Sequence, residues 1–362
     1  MAMSLEEFLE EWNNSSPYVH VQTSGSTGAP KPMLVEKRRM LNSARITCDF
    51  LGLHEGDTAL LCMSLDYIAG KMMVVRSLER GLKLIVQEPS GHPLGHRGTV
   101  PRVSSVANYT GTVLSVSPSI DFAAMVPMQV YNSLQVPEER ERLMQIKNLI
   151  IGGGAIDDAL AAELKTFPHA VWSTYGMTET LSHIALRRLS GPEASEFYTP
   201  FPGVRLSLSP EDCLIIDAPE VCPDPLVTND IAELTQGDCP LCEQRSGLHR
   251  DCPLCVSPHF RILGRKDSII CSGGLKIQAE ELERQLRPYL RVPYLISKRP
   301  DAKFGEIVVL LTEGSVNEAR EVCQRVLPKY HQPRAYIHLD QIPLTETDKP
   351  ARFRAHEVSD AM

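Results

Sequence analysis

The sequence predicts an α/β fold with a large doubly wound N-terminal domain and a small, mobile α+β C-terminal domain. Three observations lead to this prediction. Strand-like and helix-like runs alternate up to about residue 190, short β-like pieces rich in Pro and Gly follow, and a new α+β pattern begins near residue 265. Alternating strands and helices are typical of a largely parallel sheet that helices cover on both faces. A chain of 362 residues is long enough for two domains.

The large domain is predicted to begin with a short helix, because Ser4 and Glu7 have the spacing of a capping box before an amphipathic run. Apolar runs then predict buried strands, and apolar residues at a helical period predict helices. The predicted strands are 18–22, 58–63, 82–87, 112–116, 148–152, 213–218 and 260–263. The predicted helices are 38–51, 68–81 and 156–167.

The small domain is predicted from a helix at 277–287, an alternating strand at 305–313, a helix at 315–327 and a strand at 335–339. This is enough secondary structure for a separate core. We therefore expect the domains to span residues 1–266 and 267–362.

Composition excludes several classes of protein. Lys and Arg number 37 and Asp and Glu 45, so the formal net charge is −8, which argues against nucleic acid or an anionic membrane as a partner. The chain has no apolar run long enough to span a bilayer. Residues 1–12 are acidic where a secretory signal would be basic, so we expect a cytoplasmic protein.

The first chemical motif is the loop from Thr23 to Lys31, which is rich in Gly and hydroxyl residues and follows a predicted strand. Such a loop offers backbone N–H groups, hydroxyls and one cation to phosphate oxygens. The Gly-Lys-Ser/Thr ending of a Walker A loop is missing. A flexible Ser/Gly turn is the alternative interpretation.

A second motif runs from Ser173 to Thr180 and combines an aromatic ring, a glycine, hydroxyls and a carboxylate. These groups could stack a base, contact a phosphate and hold Mg²⁺ through Glu179. Upstream, the glycines at 152–154 follow a predicted strand, and there the backbone can approach a ligand closely.

Three further segments complete the pattern: Val227 to Asp230, Gly264 to Glu283, and Pro343 to Arg352. In this order and spacing the motifs resemble those of the adenylate-forming superfamily of acyl-CoA synthetases, adenylation domains and luciferases. The resemblance extends from about residue 18 to about residue 355. Within the superfamily, segments 63–74, 175–187 and 272–283 are most similar to the o-succinylbenzoate–CoA ligases of menaquinone synthesis.

The resemblance implies an adenylate-forming-enzyme architecture and a ligase that works in two half-reactions. A carboxylic acid attacks the α-phosphorus of ATP, giving acyl-AMP and pyrophosphate, and the thiol of CoA then displaces AMP. ATP, Mg²⁺ and CoA are the implied cofactor and co-substrates. Positioning and charge neutralisation dominate such chemistry, so lysines and Mg²⁺ matter more than acid–base groups.

The resemblance also implies roles for individual residues. The catalytic group comprises Lys349 as the cation on the carboxylate and α-phosphate, Thr178 on the α-phosphate and Glu179 as the Mg²⁺ ligand. The phosphate loop comprises Thr23, Ser24, Gly25, Ser26, Thr27, Gly28 and Lys31. The nucleotide site comprises Gly153, Gly154, Tyr175 against adenine, Gly176, Asp230 on the ribose hydroxyls and Arg265. Asp267 is the implied hinge, and Gly273 and Gly274 would let the pantetheine arm of CoA pass.

Tyr67, Lys71 and His183 are candidates for the acid pocket. For Tyr67 a core tyrosine is an equal alternative, and for Lys71 and His183 a satisfied or exposed structural role is the alternative. Lys349 could also be a solvated lysine, Asp230 a turn cap, and the pair of Arg265 and Asp267 an ordinary surface ion pair.

The chain departs from the family pattern in three places. Only 22 residues precede the phosphate loop, so we expect a shortened N-terminus with one subdomain missing or reduced. Asp348 stands where the family has Gly, and its carboxylate could weaken the field of Lys349. A cysteine-rich insert at 238–256 replaces a short turn.

The insert contains Cys239, Cys242, Cys252 and Cys255 in a C-x2-C-x9-C-x2-C pattern. Two such pairs supply the four thiolates that structural Zn²⁺ favours, and the nine-residue spacer is shorter than in most zinc ribbons. An unligated loop with free thiols remains an alternative, and an Fe–S or redox role is a third.

Two classes of function stay open. One is an active CoA ligase for o-succinylbenzoate, or an adenylating enzyme for another aryl or acyl carboxylate. The other is a degenerate nucleotide-binding member without ligase activity. The expected partners are a small carboxylic acid, ATP and CoA, and a homo-oligomer is left open.

Overall fold

A computed structural model describes residues 3–22, 32–95, 119–235, 258–344, 351–352 and 355, and the backbone of 102–105 and 112–113. The helices of the first part are α1 (Leu5–Asn13), α2 (Lys37–Leu51), α3 (Ile68–Arg80), α4 (Pro127–Leu134), α5 (Pro137–Met144) and α6 (Asp158–Leu164). The strands of this part are β1 (Tyr18–Gln22), β2 (Pro32–Glu36), β3 (Thr58–Leu61), β4 (Lys83–Val86), β5 (Arg102–Ser105), β6 (Thr112–Val113), β7 (Phe122–Met125), β8 (Asn148–Ile151), β9 (Ala170–Met177), β10 (Ser182–Arg188) and β11 (Thr199–Pro200).

The main sheet has nine strands in the order β11-β10-β9-β8-β7-β3-β4-β5-β6. Its central neighbours β4, β3, β7, β8 and β9 pair in parallel. The outer strands β5, β6, β10 and β11 pair antiparallel. The predicted parallel arrangement is therefore confirmed at the centre of the sheet, and both edges are antiparallel.

Helices cover both faces of this sheet, as expected for a doubly wound fold. Along β3, Ala59 and Leu61 belong to the core that contains α2 and α3. Leu60 belongs to a second core that contains α4, α5 and α6. Successive strand residues point to opposite faces, so a strand buried on both sides needs a continuous apolar run.

Two smaller sheets flank the main one. β1 and β2 form an antiparallel two-stranded ribbon of their own. The second is a four-stranded meander of β12 (Arg205–Leu208), β13 (Cys213–Asp217), β14 (Leu226–Leu234) and β15 (Phe260–Arg265). Tyr198 also bridges to Phe260, which ties the meander to the end of the main sheet.

The last part of the chain has its own sheet and core. Its elements are β16 (Ile269–Ser272), β17 (Leu275–Gln278), α7 (Ala279–Leu286), β18 (Tyr294–Asp301), β19 (Gly305–Thr312), α8 (Val316–Val326) and β20 (Ala335–His338). The sheet order is β17-β16-β19-β18, and β20 pairs in parallel with β19. Ile270, Leu282, Leu310 and Cys323 belong to its core. The predicted boundary between residues 266 and 267 lies in the 3₁₀ turn Lys266–Ser268, and it stays a prediction.

Several elements differ from the sequence prediction. The sequence did not predict helices α4 and α5 or strands β2, β5, β7, β9, β10, β11, β12, β14, β16, β17 and β18. The predicted helix at 277–287 begins only at Ala279 because Leu275–Gln278 is a strand. The predicted helix at 156–167 is shorter, Asp158–Leu164, with Asp157 as its N-cap. In the part of the chain that the structure describes, no helix has the length and apolar content needed to cross a bilayer.

Candidate nucleotide and acid site

The carboxyl end of β8 lies beside the middle of β9, since Ile151 pairs with Ser173 and β9 continues to Met177. The glycines at 152–154 follow β8 and therefore lie beside the second half of β9. A Cβ atom at Gly152 would lie 2.4 Å from Thr174 Oγ1, so only glycine fits there. Ligands of open α/β sheets bind at the carboxyl ends of the strands. The structure thus brings Gly153 and Gly154 to the same edge as the second motif.

Tyr175 and Asp230 are in direct contact. The Tyr175 hydroxyl donates a hydrogen bond to Asp230 Oδ2 at 2.7 Å. Burial raises the pKa of Tyr175, and the Asp230 carboxylate raises it further, so the hydroxyl stays protonated and donating. The ring packs against Phe260 at 5.1 Å and Tyr198 at 5.8 Å between centroids. The residues predicted for adenine and ribose therefore form one cluster.

Arg265 joins this cluster from the neighbouring strand. It lies opposite Asp230 in the pairing of β14 with β15. Its Nη1 donates to Asp230 Oδ1 at 3.3 Å, and its Nε and Nη2 donate to the Asp267 carboxylate at 3.0 and 3.1 Å. Burial would lower the pKa of Arg265, but Asp267 and Asp230 outweigh it and raise the pKa. The predicted ribose residue and the predicted hinge residue thus share one guanidinium.

Thr178 and Glu179 lie in a 3₁₀ turn, Thr178–Thr180, directly after β9. The Thr178 side chain is buried and Glu179 is exposed. Leu181 follows with φ at +60°, a left-handed conformation that a leucine rarely adopts. Strain of this kind is often kept at functional sites.

Gly176 has a packing reason of its own. A Cβ atom there would lie 2.0 Å from the Ser182 carbonyl oxygen, because β10 passes close to β9. The glycine allows this approach, which brings Ser182 and His183 next to the second motif.

Behind β10 the structure contains a buried polar cluster of Arg76, Ser182, His183 and Thr47. Arg76 is 1% exposed, and its Nη2 donates to Ser182 Oγ at 2.9 Å. Its Nε has no hydrogen-bond partner, and no carboxylate of the described residues forms an ion pair with it. Burial lowers the pKa of Arg76 to about 10. Arg76 is therefore a buried cation without a described counter-charge.

His183 completes this cluster. Its Nδ1 lies 3.0 Å from Ser182 Oγ, and its Nε2 lies 3.2 Å from Thr47 Oγ1. Burial lowers the pKa of His183 well below 6.5, and the charge of Arg76 lowers it further, so the imidazole is neutral. The sequence prediction named His183 but missed Arg76. The available signal was an arginine inside the apolar run of α3.

The other two pocket candidates lie at the start of α3. Tyr67 is the N-cap residue of the helix. The Lys71 side chain is 2% exposed and its Nζ donates to the His20 carbonyl oxygen at 2.8 Å. The described contacts of Lys71 are with α1 and β1.

Gly273 and Gly274 form the turn between β16 and β17, with φ at +57° and +85°. The remaining predicted site residues lie outside the described residues: the phosphate-loop residues of 23–31, Lys349, Cys239, Cys242, Cys252 and Cys255. Within the described ranges, no group of three or more His, Cys, Asp and Glu side chains could hold a metal ion.

Known proteins resemble this chain over nearly its whole length. The 2-succinylbenzoate–CoA ligase of Enterococcus faecalis is 25% identical over an alignment of 372 positions, gaps included. The alignment covers 98% of this chain and 72% of that ligase. The corresponding ligase of Listeria monocytogenes is 22% identical, with 97% and 72% coverage. These relatives are distant but aligned from end to end of the chain.

Solved structures share the fold. An acyl-CoA synthetase (AMP-forming)/AMP-acid ligase II-like protein from Dyadobacter fermentans matches with a TM-score of 0.59 and 30% identity, covering 96% of this chain and 92% of that protein. O-succinylbenzoate coenzyme A synthetase (MenE) from Bacillus subtilis, in complex with ATP and magnesium, matches with a TM-score of 0.69 and 21% identity, covering 92% and 69%.

The sequence profile of the AMP-binding enzyme family matches residues 5–215, more than half of the chain. This range includes the phosphate loop, the glycines at 152–154 and the second motif. The resemblance predicted from the motifs is confirmed: the chain belongs to the AMP-binding enzyme family.

Proposed function

We propose that the protein is an ATP-dependent acid–CoA ligase, which forms an acyl-adenylate and then an acyl-CoA thioester. The observation that carries this proposal is the cluster in which Tyr175 of the main sheet meets Asp230 and Arg265 of the antiparallel meander, in a chain of the AMP-binding enzyme family. A nucleoside needs a carboxylate for its ribose hydroxyls and an aromatic surface for its base, and the cluster offers both.

The described residues also suit Mg²⁺. Glu179 presents an exposed carboxylate at the end of β9, next to the Thr178 hydroxyl. Mg²⁺ prefers oxygen ligands and is commonly bound by one or two carboxylates together with substrate phosphates. The ion would neutralise phosphate charge there. In this proposal Lys349 and the loop residues from Thr23 to Lys31 supply the remaining positive charge and N–H donors.

We further propose 2-succinylbenzoate as the acid, which places the enzyme in menaquinone biosynthesis. Two findings support this choice. The distant relatives are 2-succinylbenzoate–CoA ligases, and Arg76 is a buried cation without a described counter-charge. A dicarboxylic acid can lose one carboxylate to adenylation and keep the other as an ion-pair partner. Leaving such a charge unpaired in the core is costly, so the substrate would complete the site.

The test is AMP formation from ATP, CoA and a panel of acids. We expect turnover with 2-succinylbenzoate and slower turnover with 4-oxo-4-phenylbutanoate, which lacks the aryl carboxylate. Faster turnover with a monocarboxylic acid would identify that acid as the substrate, and the protein would still be an acid–CoA ligase. If no acid supports AMP formation while ATP still binds, the chain is a nucleotide-binding member without ligase activity.

We propose separately, from the sequence alone, that Cys239, Cys242, Cys252 and Cys255 hold one structural Zn²⁺. Metal analysis of protein purified without chelator should give about one zinc per chain, since such sites use four ligands for one ion. Cys242→Ser should lose the zinc while ATP binding survives. Four freely titratable thiols in the native protein would leave only the free-thiol interpretation. The cytoplasmic location stays a prediction as well.

A further inference from the structure

Lys71 is a buried cation at an unfavourable position. It lies in the first turn of α3, where the helix dipole already presents a partial positive charge, and that turn has no acidic residue. Its side chain is only 2% exposed. Burial lowers the pKa of Lys71, although Glu11 and Asp66 oppose this shift. Residues that break such local rules are often kept for function.

The contacts of Lys71 converge on the N-terminal segment. Nζ donates to the His20 carbonyl oxygen at 2.8 Å, lies 3.9 Å from Glu11 Oε2, and lies 5.4 Å from the centre of the Phe8 ring. Glu11 Oε1 in turn accepts from His20 N–H at 2.8 Å. Lys71 and Glu11 therefore hold His20 through its carbonyl oxygen and its backbone N–H.

His20 is the middle residue of β1, which pairs with β2 in a two-stranded ribbon. Such a ribbon is marginally stable by itself. Val19 and Val21 are buried and anchor one face of β1 to the core. These apolar contacts resist separation, but hydrogen bonds with fixed geometry are needed to set the position along the strand.

The last residue of β1 is Gln22, and the chain continues directly into the loop from Thr23 to Lys31. The strand is thus the covalent support of that loop. α3 is a firm base for it, because Met72, Met73 and Val75 of the same helix are buried in the main core.

We infer that Lys71 is a positioning residue for the phosphate loop: it links α3 to β1 and so sets where the loop begins. This inference rests on the proposed function, because it takes the loop to contact the β- and γ-phosphates of ATP. It replaces the idea that Lys71 faces the acid. A loop that is misplaced at its origin loses phosphate contacts, whereas Tyr175 and Asp230 still hold the nucleoside.

The experiment compares ATP with AMP, because AMP lacks the β- and γ-phosphates. Lys71→Met, a substitution of similar length, should weaken ATP binding about tenfold, which corresponds to about 1.4 kcal/mol. AMP binding should stay unchanged. Calorimetry measures both affinities. Glu11→Ala should give a smaller shift of the same kind, and it decides the question if Lys71→Met does not fold. Lys37→Met is the matched control, because the half-buried Lys37 donates through Nζ to Asn14, which lies before the other end of β1.

Two outcomes with the variants overturn the inference. Equal weakening of ATP and AMP would mean general loss of structure, and unchanged ATP binding with a raised KM for the acid would return Lys71 to the acid pocket. If Lys71→Met weakens the binding of ATP but not of AMP, and the wild type forms no AMP from any acid, the inference stands and the ligase proposal is rejected. Wild-type protein that binds neither nucleotide would reject both.

Discussion

Arg76 differs from its neighbours in α3, because Met72, Met73 and Val75 are apolar and Arg76 is a buried charge among them. It has a single oxygen partner among the described residues, Ser182 Oγ. This is too little for a guanidinium, which carries five N–H donors. Its Nε has no hydrogen-bond partner among the described residues, which supports the proposal that a ligand carboxylate contacts Arg76.

The first residue-scale prediction is that Arg76→Gln raises the KM for 2-succinylbenzoate. The expected rise is about 10- to 100-fold, because hydrogen bonds to charged groups contribute about 1.5–3 kcal/mol. The KM for 4-oxo-4-phenylbutanoate and for ATP should stay near the wild-type values. Initial rates of AMP formation measure all three.

The matched control for this prediction is Arg80→Gln, one turn further along α3. Arg80 donates to Asp49 and to the Leu53 carbonyl oxygen, so its partners lie within the protein. An equal rise in KM for both acids in Arg76→Gln would contradict the proposed carboxylate contact.

The second residue-scale prediction concerns pH. His183 has a pKa well below 6.5 in the folded state because it is buried. Between pH 6.5 and the lower pKa of the folded state, the unfolded chain binds a proton at His183 that the folded protein does not. The free energy of unfolding therefore falls as the pH falls, by about 1.4 kcal/mol per pH unit. His183→Gln removes this proton linkage.

Denaturant unfolding at about pH 7.5 and about pH 5.5 tests the linkage. The wild type should lose more stability between the two conditions than His183→Gln, by about 1 kcal/mol. His54→Gln, a substitution of an exposed histidine, should behave like the wild type. Identical losses in the wild type and His183→Gln would mean that the folded protein binds this proton as readily as the unfolded chain does.

At the scale of elements, the contact between β15 and the end of β17 links the small domain to the large one. A Cβ atom at Gly264 would lie 2.4 Å from Gln278 Nε2, and the Gly264 φ is +152°. Gln278 Nε2 donates to the Arg265 carbonyl oxygen at 2.9 Å. Gly264 thus leaves room for the Gln278 side chain, which reaches β15 from the end of β17.

We predict that Gly264→Ala displaces Gln278 and destabilises this contact by about 1–3 kcal/mol, the usual cost of overpacking. Limited proteolysis should then cut faster between the domains. Gly191→Ala is the control for backbone strain alone, because its φ is +73° and nothing lies within 4 Å of its Cβ position. Similar cleavage rates in the two variants would attribute the effect to strain and not to Gln278.

Individual helices and strands also show how much of the fold the sequence patterns predict. α2 and α3 were predicted nearly to the residue, because their apolar spacing is helical and each ends at a glycine with positive φ. β7 was missed, since Phe122–Met125 contains two alanines and resembles no strand by propensity. Its place between β3 and β8 comes from tertiary pairing.

At the scale of the whole molecule, the motifs predicted the family and the fold class, and both are confirmed. The cluster of Tyr175, Asp230 and Arg265 followed from the motifs because strand order brings their segments together. Arg76 could not be predicted in this way. An arginine inside an apolar helical run was the one local signal, but the partners of Arg76 and its lack of a described counter-charge depend on tertiary packing.

The last prediction concerns Lys349, the predicted catalytic lysine, and its attachment to the small domain. Lys349 lies outside the described residues, but Arg352, three residues later, is firmly held. Its Nη2 donates to Glu283 Oε2 at 2.6 Å and its Nη1 to the Ile296 carbonyl oxygen at 3.1 Å. Both partners belong to the small domain, so Lys349 is expected to move with it when the domain reorients about Asp267.

Lys349→Ala should therefore affect the two half-reactions unequally. Acyl-adenylate formation should fall about 100- to 1000-fold, as when one preorganised charge contact is removed, because the lysine neutralises the carboxylate and α-phosphate. Thioester formation from preformed acyl-adenylate and CoA should persist, because the rotated domain has carried the lysine away. Pyrophosphate release and thioester formation measure the two steps, with Lys303→Ala, an exposed lysine of the same domain, as the control. Equal loss in both steps would mean that Lys349 stays at the phosphates throughout and that the small domain does not alternate.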